Sequence, residues 1–352
     1  MRVAVIGTVG VPASYGGFET LVENLIHDNR VKFTVYCSRP KMSERLREYN
    51  RARLVYIPLS ANGMSSIPYD VLSMVHALLT GHKIFLVLGV SGAIFLPILK
   101  LFPKVKIITN IDGIEWRRDK WKGFAKVFLK VSEQLAVIFS SHVVSDNDAI
   151  TKYIFEKYKR HCNTIAYGGD HALRSSTTEK LDAGFDVEEP FALSICRVEP
   201  ENNVHLILEA FSKIKLPLVF IGNWDKSDYG RRLFSKYNTI FNIHLLSPIY
   251  RLDTLYSYRA SCAVYIHGHS AGGTNPSLVE MMHFSKPILA YDCSFNRASM
   301  DDKGNYFANA DDLNRMLENL SLLHDGADLA DIARRRYTWD IVRQQYIQLF
   351  YL

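Results

Sequence analysis

Cysteine is scarce in this 352-residue chain: Cys37, Cys162, Cys196, Cys262 and Cys293, odd in number and scattered. Most lie in or beside apolar, strand-like runs. That suits reduced, buried thiols in a cytosolic protein and excludes a disulfide framework or paired zinc spacing. A long hydrophobic run is missing too. The longest, Ile84 to Leu99, is broken by Gly89, Gly92 and Pro97 and falls short of the roughly 20 residues that cross a bilayer. It reads as a buried strand, Ile84 to Leu88, a glycine turn and a helix from about Ala93. No basic n-region or cleavage site precedes the first strand, so no secretory signal is expected. Internal repeats and low-complexity tracts are absent.

What is present describes an ordinary soluble globular protein, with 48% hydrophobic and 22% charged residues and a formal net charge of +6. At about 100–200 residues per domain, the length predicts two domains. Strand and helix signals alternate in two consecutive runs. Leu54 to Pro58, Ile84 to Leu88, Lys106 to Asn110 and His142 to Ser145 read as strands of the first, with helices at Tyr69 to Leu79 and Phe124 to Phe139. After a polar stretch around Arg174 to Asp186, a second run begins at Phe191 to Cys196. It continues through Val204 to Phe211, Leu218 to Ile221, Ile243 to Leu245, Ala263 to Ile266, Leu278 to Phe284 and Pro287 to Tyr291. Two such runs predict an α/β protein of two doubly wound units facing one another across a cleft. The end, Tyr337 to Leu352, reads as an amphipathic helix that packs back on the first domain.

Two glycine turns carry the chemistry. Ala263 to Ile266 leads through His267-Gly268-His269-Ser270-Ala271-Gly272-Gly273-Thr274-Asn275 into an apolar helix with Pro276 in its first turn. Free N–H groups and the positive dipole end at such a turn suit a diphosphate, and Glu280, one turn on, can accept from sugar hydroxyls. The competing reading is a packing turn. At the other end, the strand Arg2 to Gly7 enters Thr8-Val9-Gly10-Val11-Pro12-Ala13-Ser14-Tyr15-Gly16-Gly17-Phe18-Glu19, then a helix carrying Leu21, Val22, Leu25 and Ile26. A dinucleotide site needs G-x-G-x-x-G here and a carboxylate ending the second strand. The loop is wrong, and Phe33 to Arg39 ends in arginine; an NAD(P)-dependent oxidoreductase stays open only through Arg39 and a 2′-phosphate.

Two further clusters need weighing. His267, His269 and His283 suggest a metal, but no third ligand stands at a zinc spacing, so no metal is expected. Arg117, Arg118, Lys120, Lys122, Lys126 and Lys130 interleave with Trp116, Trp121, Phe124, Val127 and Phe128. This mixture suits either a helix on an anionic membrane surface, with rings at headgroup depth, or an amphipathic helix whose aromatic face joins the core. No nucleic-acid-binding module accompanies it.

Four blocks resemble GT-B glycosyltransferases of family four, and more closely their bacterial rhamnosyltransferase-like branch: Gly7 to Thr20, Asn110 to Trp116, Cys196 to Asn203 and His267 to Glu280. They stand in the family's order over nearly the whole chain. The resemblance implies two Rossmann-like domains, 1–170 for the acceptor and 171–336 for the nucleotide-sugar donor, with 337–352 as a helix crossing back to the first. It implies retaining transfer of a sugar, L-rhamnose from dTDP-L-rhamnose, to a polyprenyl-diphosphate-linked saccharide at the inner face of the cell membrane, without a cofactor. By motif position, Arg197 binds phosphate and Glu280 the ribose. Gly272, Gly273 and Thr274 serve the phosphates or sugar, and Gly16 and Gly17 close over the diphosphate. Asp112 takes the place often held by histidine, or is a turn residue; His269 bonds donor phosphate or shapes the loop. Trp116, Arg117, Arg118, Trp121 and Lys122 form the membrane or acceptor surface. Two positions of the donor-binding set depart from the family: Gly272 replaces the first glutamate of E-x7-E, and Asn202, expected at the donor, replaces a lysine. A donor with another hydroxyl pattern, such as a 6-deoxy sugar, fits these changes; so does a noncatalytic sugar-nucleotide or glycolipid binder.

Overall fold

A computed structural model describes residues 1–13, 16–42, 44–118, 121–173 and 189–352. The chain divides into two compact units, Met1–Tyr167 with Asp340–Leu352, and Gly168–Trp339. The polar stretch around Arg174 to Asp186, and Ser14, Tyr15 and Lys120, lie outside the described residues.

Among the described residues, the first unit holds eight strands: β1 (Arg2–Ile6), β2 (Lys32–Ser38), β3 (Glu48–Tyr49), β4 (Ala52–Ile57), β5 (Ile84–Leu88), β6 (Lys106–Asn110), β7 (His142–Ser145) and β8 (Cys162–Thr164). Their order is β3-β4-β2-β1-β5-β6-β7-β8, parallel except at the β3–β4 edge. Val3, Ala4, Val5, Phe85, Leu86 and Val87 are fully buried, because a parallel sheet is covered on both faces and needs unbroken apolar runs. Helices α1 (Gly17–Leu25), α2 (Ser66–Leu79), α3 (Leu96–Leu99), α4 (Gly123–Phe139) and α5 (Asp148–Tyr158) belong to this unit. The helix expected from Ala93 is only a 3-10 turn at Ala93–Phe95 followed by the one-turn α3.

Among its described residues the second unit holds six parallel strands, β9 (Ala192–Ile195), β10 (Leu218–Ile221), β11 (Ile243–Leu246), β12 (Val264–His267), β13 (Ile288–Tyr291) and β14 (Asn305–Phe307), ordered β11-β10-β9-β12-β13-β14. Its helices are α6 (Val204–Phe211), α7 (Asp228–Tyr237), α8 (Leu252–Ser261), α9 (Pro276–Met282), α10 (Ser294–Ser299), α11 (Ala310–Leu317) and α12 (Ala327–Arg336). Ile207, Leu208 and Phe211 of α6 share a buried cluster with Phe220, Trp224, Phe307 and Leu313. The last helix, α13 (Trp339–Tyr351), joins the first unit from Asp340 onward. There Asn110 Nδ2 donates to Tyr346 Oη at 2.7 Å, Lys106 Nζ donates to the Phe350 carbonyl at 3.0 Å, and Phe350 lies edge-on to Phe33.

Strand order places the loops that matter. In the first sheet the chain winds outward through β2, then restarts on the other side of β1 at β5; in the second it restarts beside β9 at β12. Crevices in open parallel sheets form beyond the carboxyl ends of the strands at such reversals. The loops leaving β1, β5, β9 and β12 carry Gly7 to Gly16, Gly89 to Gly92, Cys196 to Asn203 and Gly268 to Asn275.

Candidate active site

In the second unit, the loops after β9 and β12 are fastened into one structure. Asn203 Nδ2 donates to the Gly268 carbonyl at 2.9 Å, and the Ser270 N–H and hydroxyl both donate to the Glu201 carbonyl, at 2.9 and 2.8 Å. A side chain at Gly268 would place its Cβ 2.2 Å from the Asn202 carbonyl oxygen; only glycine allows this approach. Asn202 lies between the loops and is almost fully buried. Its Nδ2 donates to the Arg197 carbonyl at 2.7 Å, and its Oδ1 faces His269 Nδ1 at 2.7 Å. A carbonyl only accepts, so the amide orientation is fixed and the His269 proton sits on Nδ1. The His269 carbonyl is held by Asn296 Nδ2 at 2.8 Å. Arg197 is partly exposed and lies 3.6 Å from Glu199.

Glu280 is gripped from two sides. Its Oε2 pairs with the buried Arg259 guanidinium, and its Oε1 lies 3.3 Å from His171 Nε2. Burial alone raises a carboxyl pKa, but Arg259 and His171 outweigh it and hold Glu280 below its ordinary value. Neither partner was legible in the sequence. Arg259 sits on α8 and His171 in a short turn at Asp170–Leu173, far from Glu280 along the chain.

The start of α9 differs from the sequence expectation of free N–H groups. Asn275 caps the helix: its Oδ1 accepts from the Ser277 N–H at 3.0 Å, and its carbonyl from the Leu278 and Val279 N–H groups at 3.1 and 3.2 Å. Pro276 has no N–H. The first helical turn is therefore saturated, and backbone donors for an anion must come from the loop before Asn275.

In the first unit, Glu19 organises the loop after β1. Its Oε1 accepts from the Thr8 hydroxyl at 3.0 Å and the Val9 N–H at 2.8 Å. Gly16 has φ near +129°, and a Cβ there would strike Glu19 Oε2, so the Gly16-Gly17 pair has a backbone reason as well as a chemical one. Gly17 begins α1 and packs beside Tyr167. Asp112 follows β6 in left-handed backbone, its N–H donating to Asn110 Oδ1 at 2.9 Å. That is an Asx turn headed by Asn110, with Asp112 as its third residue. Asp70, on α2, is fully enclosed beneath Gly92; burial pushes its carboxyl up to about 8 against the Gly92 N–H, and its Oδ1 has no partner among the described residues.

The basic segment is not one helix. Glu115–Arg117 form a 3-10 turn, and α4 starts only at Gly123. Trp116 Nε1 donates to Glu133 Oε2 at 3.0 Å, Trp121 Nε1 to Glu115 Oε1 at 2.8 Å, and Arg118 pairs with Glu115 at 3.2 Å. Trp116, Trp121 and Arg118 thus bind inside the fold rather than standing free as rings and cations for a headgroup layer. Arg117, Lys126, Lys130 and Lys157 gather within 5.3, 5.9, 4.6 and 5.3 Å of the Trp116 ring. Lys122 is exposed, and Phe124, Val127 and Val131 present an apolar stripe to solvent along α4.

Among the described residues, no group of three or more His, Cys, Asp or Glu is placed to hold a metal ion. Burial drives the His267 imidazole down to about 3, so it is neutral, and its Nε2 has no partner among the described residues. His283 Nε2 instead donates to the Tyr337 carbonyl at 3.0 Å. Among these residues no helix is long and apolar enough to cross a membrane.

Residues 1–170 match a domain of unknown function, DUF1972, and residues 175–336 match glycosyl transferases group 1. No curated protein matches the chain by sequence. Among solved structures, sucrose-phosphate synthase from Thermosynechococcus elongatus superposes with a TM-score of 0.82 at 14% identity, over 99% of this chain and 98% of that one. Anabaena HepE in complex with UDP-glucose gives 0.73 at 15% identity, over 99% of both chains. A glycosyltransferase from Rickettsia africae gives 0.72 at 10% identity, over 99% and 97%. Residues 175–336 are thus similar to glycosyl transferases group 1, and the chain's two Rossmann-like sheets are those of the GT-B fold.

Proposed function

We propose that this glycosyltransferase moves L-rhamnose from dTDP-L-rhamnose, with retention at the anomeric carbon, to a polyprenyl-diphosphate-linked saccharide in surface-polysaccharide synthesis. The observation that carries the proposal is the position of the motif loops. All four leave strands at or beside the reversal points of parallel sheets, where such folds bind ligands. The donor binds the second unit: Arg197 takes the diphosphate, Gly272, Gly273 and Thr274 the phosphates or sugar, and Glu280 the nucleoside ribose. HepE was solved with UDP-glucose, and the same class of ligand suits these residues. Asn202, locked between Arg197 and His269, orients both rather than touching the donor.

The chemistry needs no protein nucleophile. The acceptor oxygen forms a bond to the anomeric carbon as the bond to the diphosphate oxygen breaks, and the departing oxygen takes the acceptor proton on the same face. What the protein supplies is orientation and stabilisation of the leaving diphosphate by the Arg197 guanidinium and, when protonated, His269. The first unit takes the acceptor, with Asp112 offered to a donor or acceptor hydroxyl. Gly272 removes a carboxylate that would read a sugar hydroxyl, which favours a 6-deoxy donor.

A lipid-linked acceptor places the enzyme at the inner membrane face. The support lies on α4, where the Phe124–Val127–Val131 stripe runs beside Lys122, Lys126 and Lys130. Apolar side chains flanked by lysines suit the interface of an anionic bilayer. The test is a mass-spectrometric screen of nucleotide sugars against a lipid-diphosphate saccharide. A product heavier by one deoxyhexose, formed from dTDP-L-rhamnose, is expected. Transfer of another sugar removes the donor assignment, and donor binding without transfer across the panel turns the reading to a noncatalytic binder.

A further inference from the structure

Glu280 is the end of a hydrogen-bond chain whose direction the structure fixes. The Trp339 indole N–H can only donate, so His171 Nδ1, 3.0 Å away, is its acceptor. The neutral imidazole then carries its proton on Nε2, and that N–H faces Glu280 Oε1 at 3.3 Å. Arg259 takes Oε2. With one donor on each oxygen, the carboxylate is held in one rotamer, and each oxygen keeps acceptor capacity for a ligand hydroxyl.

Trp339 is itself immobilised. Its backbone N–H donates to Asp170 Oδ1 at 2.8 Å, the Gly169 N–H donates to the Tyr337 carbonyl at 2.7 Å, and the indole is buried. Residues 168–171 and 337–339 thus form a braced pair of segments against the start of α9. Trp339 is also the last residue of the second unit and the first of α13. The carboxylate is therefore set by the segment through which the chain leaves that unit.

We infer that Trp339 and His171 are positioning residues for nucleoside recognition, acting through Glu280; this rests on the reading of Glu280 as the ribose-binding carboxylate. Arg259 supplies most of the charge compensation, while the Trp339–His171 relay supplies direction. Without the indole donor, His171 loses the bond that fixes its tautomer and ring plane, and Glu280 gains rotamers that must be frozen again when a nucleotide binds.

The experiment is calorimetric titration of the full chain with UDP and with dTDP, using Trp339→Phe, His171→Phe and Glu280→Ala singly and combined. Trp339→Phe removes the N–H and keeps most of the ring. Each single variant is expected to weaken binding of the preferred nucleotide roughly tenfold, the worth of one hydrogen bond to a charged group. The Trp339→Phe and His171→Phe double variant should bind no more weakly than His171→Phe. In the Glu280→Ala background neither should have a further effect. A merely structural role would not give this cancellation, and partial misfolding shows in stoichiometry rather than in Kd. Wild-type affinity in Trp339→Phe, or losses that add to that of Glu280→Ala, overturns the inference alone. If the unaltered chain binds neither nucleotide, or Glu280→Ala binds as tightly as it does, the reading of Glu280 fails first.

Discussion

Replacing Asp70 by asparagine should stabilise the protein, and by an amount that grows with pH. Asp70 lies beneath the loop after β5, fully enclosed, with one oxygen unpartnered among the described residues and the Gly92 N–H as a backbone donor. Burial carries its carboxyl from 3.8 up to about 8. The folded state therefore holds this proton more tightly than the unfolded chain does. Its contribution to stability is complete below about pH 4 and is lost as pH rises toward 8. At about 1.4 kcal/mol per pH unit the full span is roughly 6 kcal/mol, an upper bound because local relaxation and water entry reduce such penalties. About half of it, 3 kcal/mol, is expected across that interval. Asparagine matches the shape of the protonated acid, accepts the Gly92 N–H and does not titrate. Thermal unfolding midpoints of both proteins at pH 5, 6, 7 and 8 provide the assay. The variant should gain on the wild type at each step, by roughly 2–4 °C per kcal/mol for a unit of this size. A difference that stays flat with pH, or a variant less stable at pH 8, refutes the reasoning.

Other predictions follow from the site. Arg197→Ala should weaken nucleoside-diphosphate binding by about 1.5–3 kcal/mol while leaving nucleoside affinity intact; equal losses for UDP and uridine in calorimetry would sink the diphosphate role. Asn202→Asp places a carboxylate against His269 Nδ1, so His269 should titrate at higher pH in NMR than in the wild type; an unmoved titration means the pair seen between them is not formed in solution. Lys126→Ser with Lys130→Ser should reduce flotation with anionic vesicles in a salt-dependent way, whereas Phe124→Ser with Val127→Ser should reduce it at every ionic strength. Undiminished flotation in both would take the membrane off α4.

How much of this was legible in the sequence depends on whether the signal is local. The strands Ile84–Leu88, Lys106–Asn110, His142–Ser145 and Leu218–Ile221 occur where continuous apolar runs place them, since burial on both faces is a property of the segment itself. Gly16, Gly268 and the Gly272-Gly273 turn stood out for the same reason: a residue without a side chain announces itself. Partners distant in sequence did not. Nothing in the spacing of His171, Arg259 and Trp339 connects them to Glu280, and Asp70 reads as one polar residue on a helix until α2 packs against Gly92. The aromatic-basic segment shows the limit from the other side. Its composition was plain, yet only packing decided that Trp116 and Trp121 give their N–H groups to Glu133 and Glu115 and leave Phe124 outside. Composition and periodicity determined that the chain forms two parallel α/β units with glycine turns at strand ends. Tertiary structure alone decided which charges are compensated, because a buried ion or hydrogen bond is settled by whatever the fold brings within about 3 Å, irrespective of distance along the chain.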